Sequence, residues 1–204
     1  MSFYADRIVP RLIDLSMRNR LLRPYRQRVI GGAKARVLKI GIGSGLNLPL
    51  YGANVAHITG LDPSPRLLAK AREAVHRISA PIVLVEGSAE AIPLDDGSVD
   101  TVVTTWTLCS IPNAPRALAE MRRVLSPSGR LLFVEHGRAP DAHVRWWQNR
   151  LTPMWRCIGG GCHINRPISD LITSAGFHIE RLDTGYMRGP KPMTFMYEGS
   201  ARPR

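Results

Sequence analysis

Val37-Leu38-Lys39-Ile40-Gly41-Ile42-Gly43-Ser44-Gly45 is the stretch on which the fold turns. An apolar strand runs straight into three glycines at alternate positions. Glycine permits a tight turn and lets backbone N–H groups approach a ligand closely. With a helix expected at 45–51, the segment reads as strand, glycine turn, helix. That is the opening unit of an open α/β sheet, where ligands bind at the carboxyl ends of the strands. The next β-branched run ends at Asp62, 21 positions beyond Gly41. A carboxylate there can accept hydrogen bonds from both hydroxyls of a ribose. Each motif alone is weak, but together they point to an adenosine-containing cofactor. Dinucleotide folds place their third glycine five residues after the first, whereas Gly45 lies four after Gly41. A nicotinamide cofactor is therefore not expected.

Outward from this motif, strands are expected at 36–40, 56–61, 82–86, 99–105 and 130–135, with helices at 64–78 and 113–125. Ser64-Pro65 and Asn113 supply helix-start chemistry, and Ser126-Pro127-Ser128-Gly129 reads as a helix stop and turn. This alternation demands a parallel sheet covered on both faces. Further on, a tryptophan-rich segment (145–155) leads into Gly159-Gly160-Gly161 and a helix near 167–175. Two last strands, 177–183 and 193–198, flank Gly189-Pro190. A pair joined this closely must be antiparallel.

The 204 residues suffice for one domain with a substantial core. With 28 basic against 16 acidic residues the net charge is +12. Nine of the basic residues fall within 1–36, against Asp6 and Asp14. A helix expected from Pro10 to Leu22 places Ile8, Leu12, Leu15 and Leu22 on one side and Arg7, Arg11 and Arg18 on another. Such a basic amphipathic helix either caps its own domain or lies on an anionic membrane surface. Punctuated by charges, the N-terminus does not read as a signal peptide, and no run reaches the ~20 apolar residues of a spanning helix. The expected location is cytoplasmic, with peripheral membrane contact. Without an RNA-binding motif, nucleic acid is not expected as a partner. Three cysteines form no paired framework, and Cys157, Cys162 and His163 lack zinc-knuckle spacing, so no metal is expected.

From residue 36 to 200 the sequence resembles class I S-adenosylmethionine-dependent methyltransferases, following a basic helical segment at 1–35. Gly41, Gly43 and Gly45 look like the family's glycine motif and Asp62, followed by Pro63, like its ribose ligand. Ser88, Ala89 and Glu90 resemble the loop that flanks the adenine, and Thr105 and Trp106 the active-site lip of the fourth strand. The resemblance implies a Rossmann-like α/β fold with a mostly parallel seven-stranded sheet, the last strand antiparallel. Lys39 departs from the pattern: the family usually carries an acid there, near the cofactor's methionyl ammonium. A narrower likeness rests on Leu108-Cys109-Ser110, Glu135-His136, Trp147-Gln148 and Gly161-Cys162 with Arg166. These look like the microsomal alkyl-thiol S-methyltransferases, which implies a small thiol as acceptor. Gly41–Tyr51 is also close to bacterial phosphatidylethanolamine N-methyltransferases, which implies an amine instead. A binding protein that keeps the fold without catalysis is the third reading.

Methyl transfer needs positioning and exclusion of water, and a thiol reacts as its thiolate. His136 is the candidate base or orienter, with Glu135 beside it and His163 on a glycine-rich lid. Trp106 and Tyr51 are each either a cation–π partner for the sulfonium or core. Trp146, Trp147 and Trp155 either wall an apolar acceptor pocket or pack the core.

Overall fold

The computed structural model describes residues 9–204, so Arg7 and Ile8 lie outside it. Seven apolar runs become strands: β1 (Ala35–Ile40), β2 (Val55–Asp62), β3 (Ile82–Glu86), β4 (Val99–Thr105), β5 (Leu125–His136), β6 (Phe177–Tyr186) and β7 (Phe195–Pro203). They form one sheet in the order β3-β2-β1-β4-β5-β7-β6. Only β7 runs antiparallel to its neighbours, β5 and β6. β1 pairs in parallel with both β2 and β4, so strand order reverses there. That reversal opens a crevice at the carboxyl end of β1, directly above the glycine turn.

Side-chain alternation along β1 divides the core. Leu38 and Ile40 join the cluster covered by α4 (Ala114–Val124) and α6 (Ile168–Ser174). Val37 faces the cluster covered by α2 (Arg23–Gly31) and α3 (Pro65–Ala74). Ser64 and Asn113 cap α3 and α4 through their side chains, as their positions predict. Arg28 grips the buried Glu198 carboxylate with Nε and Nη2 and so fastens α2 to β7.

Three local expectations are corrected. The N-terminal helix, α1, spans Val9–Met17 and not 10–22. Asn19 then accepts the Leu21 amide in a short 3-10 turn, and Pro24, lacking an N–H, starts α2 afresh. The expected helix at 45–51 contracts to a 3-10 turn at Leu48–Leu50, interrupted by Pro49. Ser126–Gly129 does stop α4, but it lies within β5 as a bulge. Pairing jumps from Val99↔Leu125 to Thr101↔Arg130.

Helix α1 also turns an unexpected face inward. Leu12 and Leu15 are exposed, at 46% and 70%, while Asp14 is buried. Its carboxylate accepts hydrogen bonds from Ser44 in the glycine turn (2.5 Å) and from Lys70 (2.9 Å). Burial alone would raise the Asp14 pKa, but these partners and Arg18 bring it below the usual value. Among the described residues no helix is long and apolar enough to cross a membrane.

Candidate active site

A cleft of about 1130 Å³ runs from the β2 terminus, over the glycine turn, to the end of β5. Gly41, Gly43, Asp62, Pro63, Thr105, Trp106 and His136 line it, as does Asp14 from α1. Gly41 and Gly43 hold φ of 64° and 59°, values that disfavour any side chain. A Cβ on Gly41 would also stand 2.5 Å from Thr107 Oγ1. A Cβ on Gly43 would meet nothing within 4 Å, so its backbone is open to the cleft. Gly45, at φ 78°, is buried against α3.

Asp62 is 5% exposed and projects from the end of β2. Its oxygens accept the Gly43 and Ser64 amides, each at 2.9 Å. Burial raises its pKa, opposed by those amides and by the Lys39 charge. A carboxylate aimed by two amides retains further lone pairs for ligand hydroxyls. Deeper in, Asn47 donates to Thr105 Oγ1 at 2.9 Å. The Asn47 Oδ1 acceptor is buried without a partner among the described residues. An open glycine backbone, an oriented acid and an unused amide oxygen suit a polar, hydroxyl-bearing nucleoside.

Trp106 sits on the fourth-strand lip with φ 50°, a conformation a non-glycine residue adopts at a cost of about 1–3 kcal/mol. Its amide donates to Val134 O at 2.8 Å. The Arg26 guanidinium lies 5.4 Å from the ring centroid, so a protein cation already uses this aromatic. Tyr51 is buried in the core, and burial pushes its phenol far upward. Trp155 lines the cleft, whereas Trp146 and Trp147 are exposed.

Other expected residues lie outside the lining. Lys39 is fully buried, its ammonium donating to Ile40 O (2.6 Å) and Gly41 O (2.9 Å). Burial lowers its pKa from 10.5 to about 7, although Glu135 and Asp62 oppose the shift. It braces the strand-to-turn junction from beneath. Ala89 packs in the core, Ser88 caps the Glu90 amide, and Glu90 accepts the Asn113 amide at the start of α4. Glu86 lines the cleft in their place.

Glu135 and His136 part company. Glu135 is fully buried, and its carboxylate accepts the amides of Thr107, Leu108 and Cys109 at 3.0, 3.0 and 3.3 Å. It shapes the loop after β4 and does not line the cleft. His136 does line it, with Nε2 2.9 Å from Cys162 Sγ. Its Nδ1 is buried without a partner among the described residues. Burial by itself would lower the His136 pKa, but Cys109 and Glu135 reverse the direction. His163 is set back from the cleft, its ring beside Cys109 O and Arg166 Nη2, both at 3.2 Å. Burial and then Arg166 lower its pKa.

Sequence reasoning did not select Cys109 and Cys162, which line the cleft beside His136 as free thiols. Hydrogen bonding to Cys162, followed by burial, pushes the Cys109 thiol well up. Gln148 of α5 (Ala142–Ile158) was also missed. Buried, it donates to Gly137 O and Ile164 O and accepts the Ala139 amide. It thereby ties α5 to the segments that carry His136 and Cys162. The signal for all three lay in Leu108-Cys109-Ser110, Trp147-Gln148 and Gly161-Cys162.

A glycine turn at the switch point of a doubly wound sheet, facing an acid on the next strand, defines a nucleoside-binding α/β protein. Known proteins narrow that class. The family described as "Methyltransferase domain" matches residues 38–133. Human thiol S-methyltransferase TMT1B is 32% identical over 170 residues, covering 81% of this chain and 68% of that protein. Phosphatidylethanolamine N-methyltransferase of Cereibacter sphaeroides is 39% identical over 103 residues, half of each chain. The structure of an S-adenosylmethionine-dependent methyltransferase from Methanosarcina mazei superposes with a TM-score of 0.66 at 21% identity, covering 82% of this chain and 92% of that one. The chain belongs to the S-adenosylmethionine-dependent methyltransferases, and its cofactor is S-adenosylmethionine. It spans 68% of the human thiol enzyme and 62% of the rat one.

Proposed function

We propose that the enzyme methylates the sulfur of a small alkyl thiol or sulfide. The carrying observation is the continuity of one cleft, from Asp62 and Gly43 to an apolar end walled by Trp155, Ile158, Cys109 and Cys162 around His136. The thiol S-methyltransferase relatives support this acceptor. S-adenosylmethionine supplies an electrophilic methyl group on a sulfonium. In this reading the Gly43 backbone and the Asp62 carboxylate hold its adenosine. Thr105 and Trp106 flank its reactive end, while α1 closes over it through the Asp14–Ser44 contact. The apolar wall excludes water from the acceptor, which strengthens every charge interaction within. His136, which lines this end of the cleft, orients the thiol or takes its proton.

Phospholipid N-methylation is the second reading, favoured by the Cereibacter relative and by the exposed Leu12 and Leu15 beside Arg11 and Arg18 on α1. Under either reading the enzyme works in the cytoplasm, with α1 resting on an anionic membrane surface. S-adenosylhomocysteine release, measured with sulfide, alkyl thiols and phosphatidylethanolamine vesicles, separates the two. Turnover with thiols and none with vesicles supports sulfur as the acceptor; the reverse pattern overturns it.

A further inference from the structure

Cys109, His136 and Cys162 come from three distant segments: the loop after β4, the end of β5 and the loop after α5. One potential ligand atom from each lies within 4.8 Å of the other two. A tetrahedral zinc centre, with Zn–S about 2.3 Å and Zn–N about 2.0 Å, spaces its ligand atoms by roughly 3.5–3.8 Å. Small side-chain movements therefore suffice to enclose an ion. Neither thiol is used in a disulfide, and His136 turns Nε2 to within 2.9 Å of Cys162 Sγ.

The backbone around the cluster is held from several sides. Glu135 fixes the amides of 107–109, as described above. The His163 amide donates to Cys109 O at 2.9 Å, tying the Cys162 loop to the Cys109 loop. Arg166 donates to Leu108 O, and Gln148 secures the chain beyond His136 and near Ile164. All three residues also line the cleft, so a fourth coordination position faces the methyl-transfer site. Three protein ligands with one open position is the pattern of catalytic zinc sites, and soft thiolates select for such an ion.

We propose that Cys109, His136 and Cys162 bind a soft divalent cation of the zinc type, whose open position takes the acceptor thiol as its thiolate. The acceptor half rests on the thiol reading above. On coordination the acceptor S–H gives its proton to water, and His136 then serves as a ligand of the cation rather than as the base. A lone pair on its sulfur then forms a bond to the methyl carbon as the methyl–sulfonium bond breaks. The electron pair of that bond stays on the departing sulfur, which becomes the neutral thioether of S-adenosylhomocysteine. The methylated product is a neutral thioether and a poor ligand, so it leaves and reopens the position. The cation changes neither charge nor oxidation state. A free thiol is only a few per cent ionised at pH 7, so coordination raises the rate by about tenfold or more.

Reduced, chelator-stripped protein titrated with Co²⁺ tests the site without reference to activity. The expected result is one equivalent bound, with thiolate-to-cobalt charge-transfer absorption and tetrahedral ligand-field bands. Cys157→Ser should keep that spectrum. Cys109→Ser, Cys162→Ser and His136→Ala should lose it while still binding S-adenosylhomocysteine, which certifies their fold. No such spectrum in reduced wild-type protein overturns the proposal, as does a spectrum that survives both cysteine changes. A Cys109–Cys162 disulfide in peptide maps, with no cobalt bound after reduction, overturns it in favour of a redox pair. Thiol turnover should fall about tenfold on stripping and return with one equivalent of Zn²⁺. Thiol methylation indifferent to stripping overturns the cation's role but leaves sulfur as the acceptor. A cobalt site in a protein inert to every thiol upholds the site and overturns the thiol reading.

Discussion

Asp62 and Gly43 are joined across the switch point, the carboxylate accepting the glycine amide at 2.9 Å. The same carboxylate accepts the Ser64 amide, so the acid is oriented by the two segments that border this end of the cleft. Asp62→Ala should weaken S-adenosylmethionine binding at least about tenfold, since a charge-assisted hydrogen bond is worth about 1.5–3 kcal/mol. Calorimetry giving equal affinities for the two proteins would remove Asp62 from the site.

Lys39 makes stability depend on alkaline pH. Its pKa in the folded protein is about 7, against 10.5 ordinarily. Between these values the unfolded chain holds the proton and the folded chain does not. Stability therefore rises with pH across that window, by up to about 1.4 kcal/mol per unit. Below pH 7 both states are charged and the full burial penalty applies. Lys39→Met abolishes the effect, so the stability of the variant relative to wild type should be greatest at pH 7 and below and shrink toward pH 10. Denaturant titrations at pH 7, 8 and 9 read the difference; parallel pH profiles would contradict it.

Glu135 acts as a scaffold. Glu135→Ala leaves three amides without their acceptor, and each unmet buried donor costs about 1–3 kcal/mol. The variant should lose about 3–5 kcal/mol of stability. Glu135→Gln keeps the oxygen that serves Thr107 and Leu108 and should lose less. A Glu135→Ala protein as stable as wild type, yet inactive, would restore Glu135 to the chemistry.

The strands were legible because each apolar run is bounded by glycine, proline or an acid that permits one reading. The glycine-turn end of the cleft was legible for the same reason: Gly41, Gly43 and Asp62 are fixed by backbone geometry. The other end was not, because Cys109, His136 and Cys162 meet only through packing and no local period links them. Helix α1 misled in a different way. Its spacing turns Leu12 and Leu15 inward to a core, but they stay exposed at the edge of the cleft while Asp14 is buried against Ser44 and Lys70. Helix α2 went unseen because Arg23, Arg26 and Arg28 mask its short apolar stripe. Glu90 looked like a ligand by position, yet the cap it supplies to α4 claims it.

Asp14 latches α1 over the cofactor turn. Asp14→Ala removes the acceptor for Ser44, Lys70 and Arg18 together, so α1 should detach more often. Faster proteolysis within residues 9–17 and a faster S-adenosylmethionine off-rate are expected, with the rest of the fold intact. Unchanged cleavage and off-rates would show that packing alone holds the helix.

Sulfur as the methyl acceptor is tested most directly by following the bond formed. The enzyme, S-adenosylmethionine carrying a trideuterated methyl group, and an alkyl thiol are mixed, and the products are read by mass spectrometry. The account predicts a thioether bearing the intact trideuteromethyl group, formed in step with S-adenosylhomocysteine and reduced at least about tenfold in the Asp62→Ala protein at limiting cofactor. S-adenosylhomocysteine without labelled thioether, or label appearing on phosphatidylethanolamine nitrogen when vesicles are supplied, would contradict it.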